Sequence, residues 1–255
     1  MTAQQIIQHI DKSANTYVRM FGMAGHMKTV DMGYYSYVTP ADGEAGISFV
    51  FDVRIEQLSL AERKQVINEI KALHMPVWFS LLSSDESFRL FFGREKPHGQ
   101  TVFAEDEEIY MAMFEGELHP VKPPADCLIK KVASREEFAV WAHIANSVLA
   151  NGRTDLHPVY HYPLCGDGLM ECYLAYCCDE PAAIAAIIHD DCTASLELVA
   201  TLPHMRGKGY AKSICSKAVS DALLRGASLA TVRAASRSAA NIYQSIGFKA
   251  YNSAI

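Results

Sequence analysis

Hydrophobic and polar positions along this chain follow two periods, and switches between them mark out the elements. Period-two or continuous apolar runs of strand length occur at Ala45 to Val53, Val77 to Leu82, Glu108 to Phe114, Cys127 to Val132, Glu171 to Cys178, Ala182 to His189, Ala194 to Ala200 and Leu229 to Arg233. Helix-period segments lie between them. Ser59-Leu60-Ala61-Glu62 is a capping box that opens a helix to about His74, and Ser134-Arg135-Glu136-Glu137 opens another through about Ala150. Ser84 to Phe92 reads as a helix stopped by Gly93. Ala239, Ile242, Tyr243 and Ile246 share one helical face, with Gly247 as its stop. The turn Asp179-Glu180-Pro181 joins two strands, whereas residues 151–168, with Gly152, Pro158, Pro163, Gly166 and Gly168, form a long irregular connection.

The run Val121-Lys122-Pro123-Pro124-Ala125 is the natural linker and divides the chain into residues 1–120, a linker at 121–126, and residues 127–255. Both halves run strand, helix, strand, helix, stop, strand. The later half, however, has a glycine-bearing turn where the earlier half has Arg54-Ile55-Glu56-Gln57-Leu58.

That turn carries the most chemistry. Leu198-Val199-Ala200-Thr201-Leu202 is a strand that ends in Pro203-His204-Met205-Arg206-Gly207-Lys208-Gly209 and opens onto a helix at Tyr210-Ala211. A helix N-terminus offers unpaired N–H groups and partial positive charge, and glycines let a phosphate come close to the backbone. The P-loop pattern fails, because Arg206 and Ala211 occupy its two glycine positions ahead of Lys212-Ser213. The dinucleotide fingerprint fails at Lys212, where it needs a third glycine.

The pattern Arg206-x-x-Gly209-x-Ala211 resembles the acyl-CoA pyrophosphate loop of the GNAT acetyltransferases. Downstream, Ser236-Arg237-Ser238-Ala239-Ala240-Asn241-Ile242-Tyr243-Gln244-Ser245-Ile246-Gly247-Phe248 resembles the second GNAT signature, with Ser236 at the usual asparagine and Ile242 at the usual leucine. The resemblance covers about residues 127–255. It implies an α+β GNAT fold in two GNAT-like halves, each a twisted mixed sheet flanked by helices, with a degenerate N-terminal half; the alternative for that half is an unrelated α+β domain. It implies acetyl-CoA as co-substrate and direct acetyl transfer to a primary amine on a small molecule or peptide.

The same resemblance assigns residues. Arg206, Gly207, Lys208, Gly209, Tyr210 and Ala211 would hold the pyrophosphate. Leu198, Val199, Ala200 and Thr201 would splay at a bulge and pair with the pantetheine arm, with the N–H near Val199 or Ala200 as oxyanion donor. Ser236 joins the cofactor set, and Tyr243 is the general acid. From strand alternation Glu197 is the candidate base, and His157 and His161 in the irregular connection are candidate substrate contacts. His204 lies beside the loop without an assigned role. Two other readings share the loop: a non-catalytic acyl-CoA sensor, and an O-acyl or longer-chain acyltransferase.

Composition narrows the partners. Half the 255 residues are hydrophobic and a fifth are charged, as in globular proteins with a full core. The net charge of −6 resides in residues 1–124, with 11 basic and 17 acidic side chains, while residues 125–255 balance at 12 and 12. Nucleic acid is therefore not an expected partner. No apolar run reaches bilayer length and no secretory leader pattern is present, so the expectation is a cytoplasmic protein without a membrane partner, a monomer or homodimer. Seven cysteines without a C-x-x-C spacing point to reduced thiols. Cys177 and Cys178 are adjacent on a strand and should point to opposite faces, and Asp190-Asp191 and the acidic run 105–108 suit solvated turns, so no metal is expected.

Overall fold

The computed structural model describes residues 1–23, 27–43, 48–55, 57–75, 77, 108–149, 165 and 170–251. Chain contacts divide the protein into two units, Tyr17–Asp106 and the combination of Met1–Thr16 with Glu107–Ile255. A first helix, α1 (Ala3–Phe21), contributes to both.

In the unit of residues 17–106, β1 (Met27–Asp31), β2 (Ser36–Pro40) and β3 (Phe49–Phe51) form an antiparallel sheet in sequential order. The strand expected from Ala45 is thus described over three residues and ends where Asp52 takes a positive φ of 53°. Helix α2 (Leu60–Ala72) starts at the expected capping box: the Ser59 hydroxyl accepts from Glu62 N–H, and the Glu62 carboxylate accepts from Ser59 N–H at 2.9 Å. Val66, Ile67 and Ile70 of α2 bury against Tyr35, Val50, Val53, Ile55 and Val77. Val77 bridges Val50 in the parallel sense, completing a strand–helix–strand unit. The remainder of the expected strand to Leu82, and the helix from Ser84, lie outside the described residues.

The larger unit is built on a sheet of seven strands among the described residues: β4 (Ile109–Phe114), β5 (Cys127–Lys131), β6 (Met170–Cys177), β7 (Glu180–Asp190), β8 (Thr193–Thr201), β9 (Leu229–Ala234) and β10 (Lys249–Ala250). Their order is β10-β4-β9-β8-β7-β6-β5, and every neighbouring pair is antiparallel except β8 and β9. Helices α3 (Arg135–Leu149), α4 (Tyr210–Leu224) and α5 (Arg237–Ser245) complete it. The central strands are buried without alternation; residues 182–188 of β7 are at most 2 % exposed. Such a run needs cover on both faces. Ala183, Ala185 and Ile187 pack with Ile214, Ala218 and Ala222 of α4, while α3 anchors to β7 through the Trp141 indole, which donates to the Ala185 carbonyl at 3.1 Å.

Two expectations change. The strand Glu108 to Phe114, assigned by sequence to the first half, lies between β9 and β10, paired with β9 residue for residue from Ile109↔Ala234 to Phe114↔Leu229. The boundary drawn at 120 therefore falls after a strand of the larger sheet, and the contact division comes before that strand. Chain order carries no mark of this, because β4 meets β9 across more than a hundred residues. Gly247, the expected stop after α5, also brings β10 back to β4: its φ is +118°, and a Cβ there would stand 2.3 Å from the Glu117 carbonyl oxygen. Second, α1 and the hairpin β1–β2 occupy a stretch to which no element was assigned. The signal for α1 was present in a third capping box, in which Thr2 N–H donates to the Gln5 side chain at 2.8 Å and Gln5 N–H to the Thr2 hydroxyl at 3.3 Å. Among the described residues, no helix is long and apolar enough to cross a membrane.

Candidate functional site

The site begins where β8 leaves β9. Their parallel ladder runs only from Thr193↔Leu229 to Ser195↔Thr231, although β8 continues to Thr201 against β7. From Leu196 onward the β9-facing edge of β8 has no ladder partner among the described residues. The antiparallel register with β7 slips between Ile184↔Ala200 and Ala186↔Glu197, which places one extra residue on β8. Leu198 in that bulge has a φ of +53°, an uncommon conformation for a side chain with a Cβ. The expected bulge and splay at Leu198, Val199, Ala200 and Thr201 are therefore present.

Beyond Thr201 the chain makes a single 3₁₀ turn at Pro203–Met205, then passes through two left-handed glycines, Gly207 at φ +77° and Gly209 at φ +89°. Gly209 is the N-cap of α4, and the helix ladder starts with Ser213 N–H donating to its carbonyl at 3.1 Å. The N–H groups of Tyr210, Ala211 and Lys212 thus have no carbonyl within the helix to pair with, and the helix dipole adds to their positive end. The space beside Gly207 is empty, and a Cβ on Gly209 would meet only Pro124 at 3.8 Å. What requires glycine at both positions is the backbone conformation, not crowding.

Side chains around the loop have specific tasks. Arg206 Nε donates to the Thr201 carbonyl at 3.2 Å, tying the turn to the end of β8 while the residue stays exposed. The Tyr210 hydroxyl donates to Asp126 at 3.0 Å, so Tyr210 offers a ligand its N–H and not its phenol. His204 faces Glu180 at 3.1 Å. A cleft of about 350 Å³ is lined by residues 120–124 together with Lys208, Gly209, Lys212 and Ser213. It gathers Lys122, Lys208 and Lys212 beside the helix N-terminus. The linker assignment concealed Lys122, whose neighbours Pro123 and Pro124 form the opposing wall. Ser236 caps α5, its hydroxyl accepting from Ala239 N–H at 3.2 Å.

Tyr243 and Glu197, the expected acid and base, each sit where burial acts on their titration. Tyr243 of α5 is buried, its ring 6.0 Å from Phe248. Burial, then nearby Cys215 and Glu197, push its phenol far above the ordinary value, so it stays protonated. Glu197 of β8 lies just past the splay point; its side chain is 11 % exposed, it accepts from the Ser195 hydroxyl at 2.6 Å, and it stands 4.0 Å from the Arg233 guanidinium on β9. Arg233 also reaches Glu108 at 3.4 Å. Burial raises the Glu197 carboxyl; Arg233 and the Ser195 hydroxyl oppose this, and Glu108 adds to the rise. Ser195, Arg233 and Glu108 were not singled out by sequence, although Arg233 is the sole charge in an otherwise uncharged strand, the signal that did identify Glu197. His157 and His161 lie outside the described residues.

Residues 169–250 match the family model described as an acetyltransferase (GNAT) domain. No curated protein matches the chain. Among solved structures, it is similar to a GCN5-related N-acetyltransferase from Kribbella flavida (20 % identity, TM-score 0.67, covering 94 % of this chain and 91 % of that one). A GCN5-related N-acetyltransferase from Sphaerobacter thermophilus is also similar (16 % identity, TM-score 0.59, 87 % and 79 % covered). So is a functionally unknown conserved protein from Staphylococcus epidermidis ATCC 12228 (14 % identity, TM-score 0.54, 80 % of each chain). At these identities the structural likeness speaks for the fold alone, and the family model marks residues 169–250 as similar to a GNAT acetyltransferase domain.

Proposed function

We propose that this protein transfers the acetyl group of acetyl-CoA directly to a primary amine, using one site in its C-terminal domain. The observation that carries this reading is the continuity of the open edge of β8, residues 196–201, with the two left-handed glycines and the uncapped N–H groups of α4. An open strand edge suits the amide groups of a pantetheine arm as an added strand, and the helix N-terminus suits the pyrophosphate that follows it. Lys122, Lys208 and Lys212 add positive charge along the same cleft.

In the reaction, an N–C bond forms at the thioester carbonyl and the C–S bond breaks. A backbone N–H at Val199 or Ala200 stabilises the oxyanion. Glu197 takes a proton from the attacking amine, a role favoured by a carboxyl raised by burial. Tyr243 gives its proton to the departing sulfur, which suits a phenol that stays protonated across the working pH range. A phenol held protonated by burial and a carboxyl raised by burial support this reading over a non-catalytic acyl-CoA sensor. The acceptor is a small-molecule or peptide amine, the protein acts in the cytoplasm as a monomer or homodimer, and the part of the chain ahead of β4 is a degenerate GNAT-like half.

The test is thiol release from acetyl-CoA with a panel of amines. Tyr243→Phe keeps the buried ring and removes only the hydroxyl, so turnover should fall by about 100-fold or more while the fold is kept. Unchanged turnover in that variant would remove Tyr243 from the chemistry.

A further inference from the structure

A cluster beside the acyl-CoA loop, with none of its three ligands in the residues assigned to acyl transfer, has the makings of a metal centre. Asp126, Cys177 and Cys178 present their ligand atoms within 4.8 Å of one another, the one group of this kind found among the described residues. Sequence reasoning set the cysteine pair aside because adjacent strand residues face opposite ways. The structure removes that objection. Cys177 is the last residue of β6, and Cys178 leaves the strand with a φ of +48°, followed by Asp179 at +67°. This left-handed turn breaks the alternation and brings both sulfurs to the same side, where Asp126 precedes β5.

From this geometry we infer that Asp126, Cys177 and Cys178 bind one thiophilic divalent cation of the zinc class. Two thiolates and a carboxylate are ordinary zinc ligands, and three protein ligands leave a fourth position for water. Tetrahedral bonds of about 2.3 Å to sulfur and about 2.1 Å to oxygen bring ligand atoms to roughly 3.5–3.8 Å from one another. Rotations that move the terminal atoms by about 1 Å close the cluster to that size. Support from outside the ligand set is already in place. The Tyr210 hydroxyl donates to Asp126 Oδ2 at 3.0 Å and leaves the other carboxylate oxygen for the ion, the kind of contact that orients a metal ligand. The Cys177 thiol donates to the same carboxylate at 3.0 Å, and an ion takes the place of that proton. Cys178 and Asp126 are exposed, which gives the ion a path in. Binding releases one proton from each thiol to solvent. The cluster adjoins the acyl-CoA loop through Tyr210, but its ligand set does not depend on the acyl-transfer reading.

Cobalt(II), added to the full-length protein kept reduced by a phosphine, is the probe. One equivalent should produce a thiolate-to-cobalt charge-transfer band that zinc then displaces. Cys178→Ser, at an exposed turn position that leaves the core intact, should abolish the band, as should Cys177→Ser. Asp126→Asn should weaken binding by at least the roughly 10- to 100-fold that follows loss of even an outer partner. Cys192→Ser, an exposed cysteine elsewhere, should leave the band unchanged. Absence of the band in the wild-type protein, or its persistence in Cys178→Ser and Cys177→Ser, overturns the assignment.

Discussion

Glu171→Gln tests how the fold holds α4 in place. Glu171 is a buried carboxylate near the start of β6, met by Lys131 of β5 at 3.0 Å, His189 of β7 at 3.6 Å, the Tyr173 hydroxyl at 3.3 Å, and Arg225, the C-cap of α4. Burial alone would raise its pKa. The His189 contact and the Lys131 hydrogen bond, then the charges of Lys131 and Arg225, reverse that and hold it at about 2 against an ordinary 4.5. At about 1.4 kcal/mol per pKa unit this corresponds to roughly 3.5 kcal/mol, and solvent screening of the half-exposed Lys131 and Arg225 reduces it to about 2 kcal/mol. A depressed carboxylate pKa stabilises the native state above the unfolded value and ceases to do so as pH falls through the folded one. Denaturant unfolding of wild-type and Glu171→Gln proteins should therefore differ by about 2 kcal/mol near pH 7, and the gap should narrow steadily as pH drops below about 4.5 toward 2. A gap under about 0.5 kcal/mol near neutrality, or one that stays constant with pH, would refute the reasoning. Because Arg225 ends the helix that begins at Gly209, this network fixes the far end of the element that carries the loop.

Other perturbations separate chemistry from stability. Glu197→Gln leaves Arg233 its contact with Glu108, so stability should change by less than about 1 kcal/mol while turnover falls by about 100-fold or more, read by thiol release beside urea unfolding. In the wild-type enzyme the acid limb of kcat/KM should lie above the ordinary carboxylate range, since burial raises Glu197, and the variant should lose that limb. Gly247→Ala meets both a φ of +118° and the Glu117 carbonyl at 2.3 Å, and should destabilise by about 2 kcal/mol or more. Gly207→Ala has open space and bears only its φ of +77°, so its cost should be about 1 kcal/mol; equal melting shifts for the two variants would contradict the steric account.

The part of the site that sequence made legible is local in the chain. A strand, two glycines and a helix start within a dozen residues leave a pattern of spacing, and so the bulge at Leu198 and the turn at Gly207 and Gly209 were expected. Contacts assembled across the sheet were not. Glu108, Glu197 and Arg233 come from three strands or their flanks and meet because β8 and β9 part after Ser195. Lys122 reaches the loop only because the proline-rich segment folds against α4. The same limit explains β4, an ordinary apolar run whose partner β9 lies far along the chain. For Cys177 and Cys178 the alternation rule failed for a local reason, a left-handed residue at the strand end that neither letter announces.

Calorimetric titration of the purified protein with acetyl-CoA, beside a Gly209→Glu variant, bears most directly on the central claim. Glutamate at 209 would strain a left-handed backbone position and set a negative charge against the helix N-terminus where the pyrophosphate is proposed to sit. Saturable binding by the wild-type protein that is lost in a folded Gly209→Glu variant is the predicted result. A folded wild-type protein that does not bind acetyl-CoA, or a variant that binds it equally well, would contradict it.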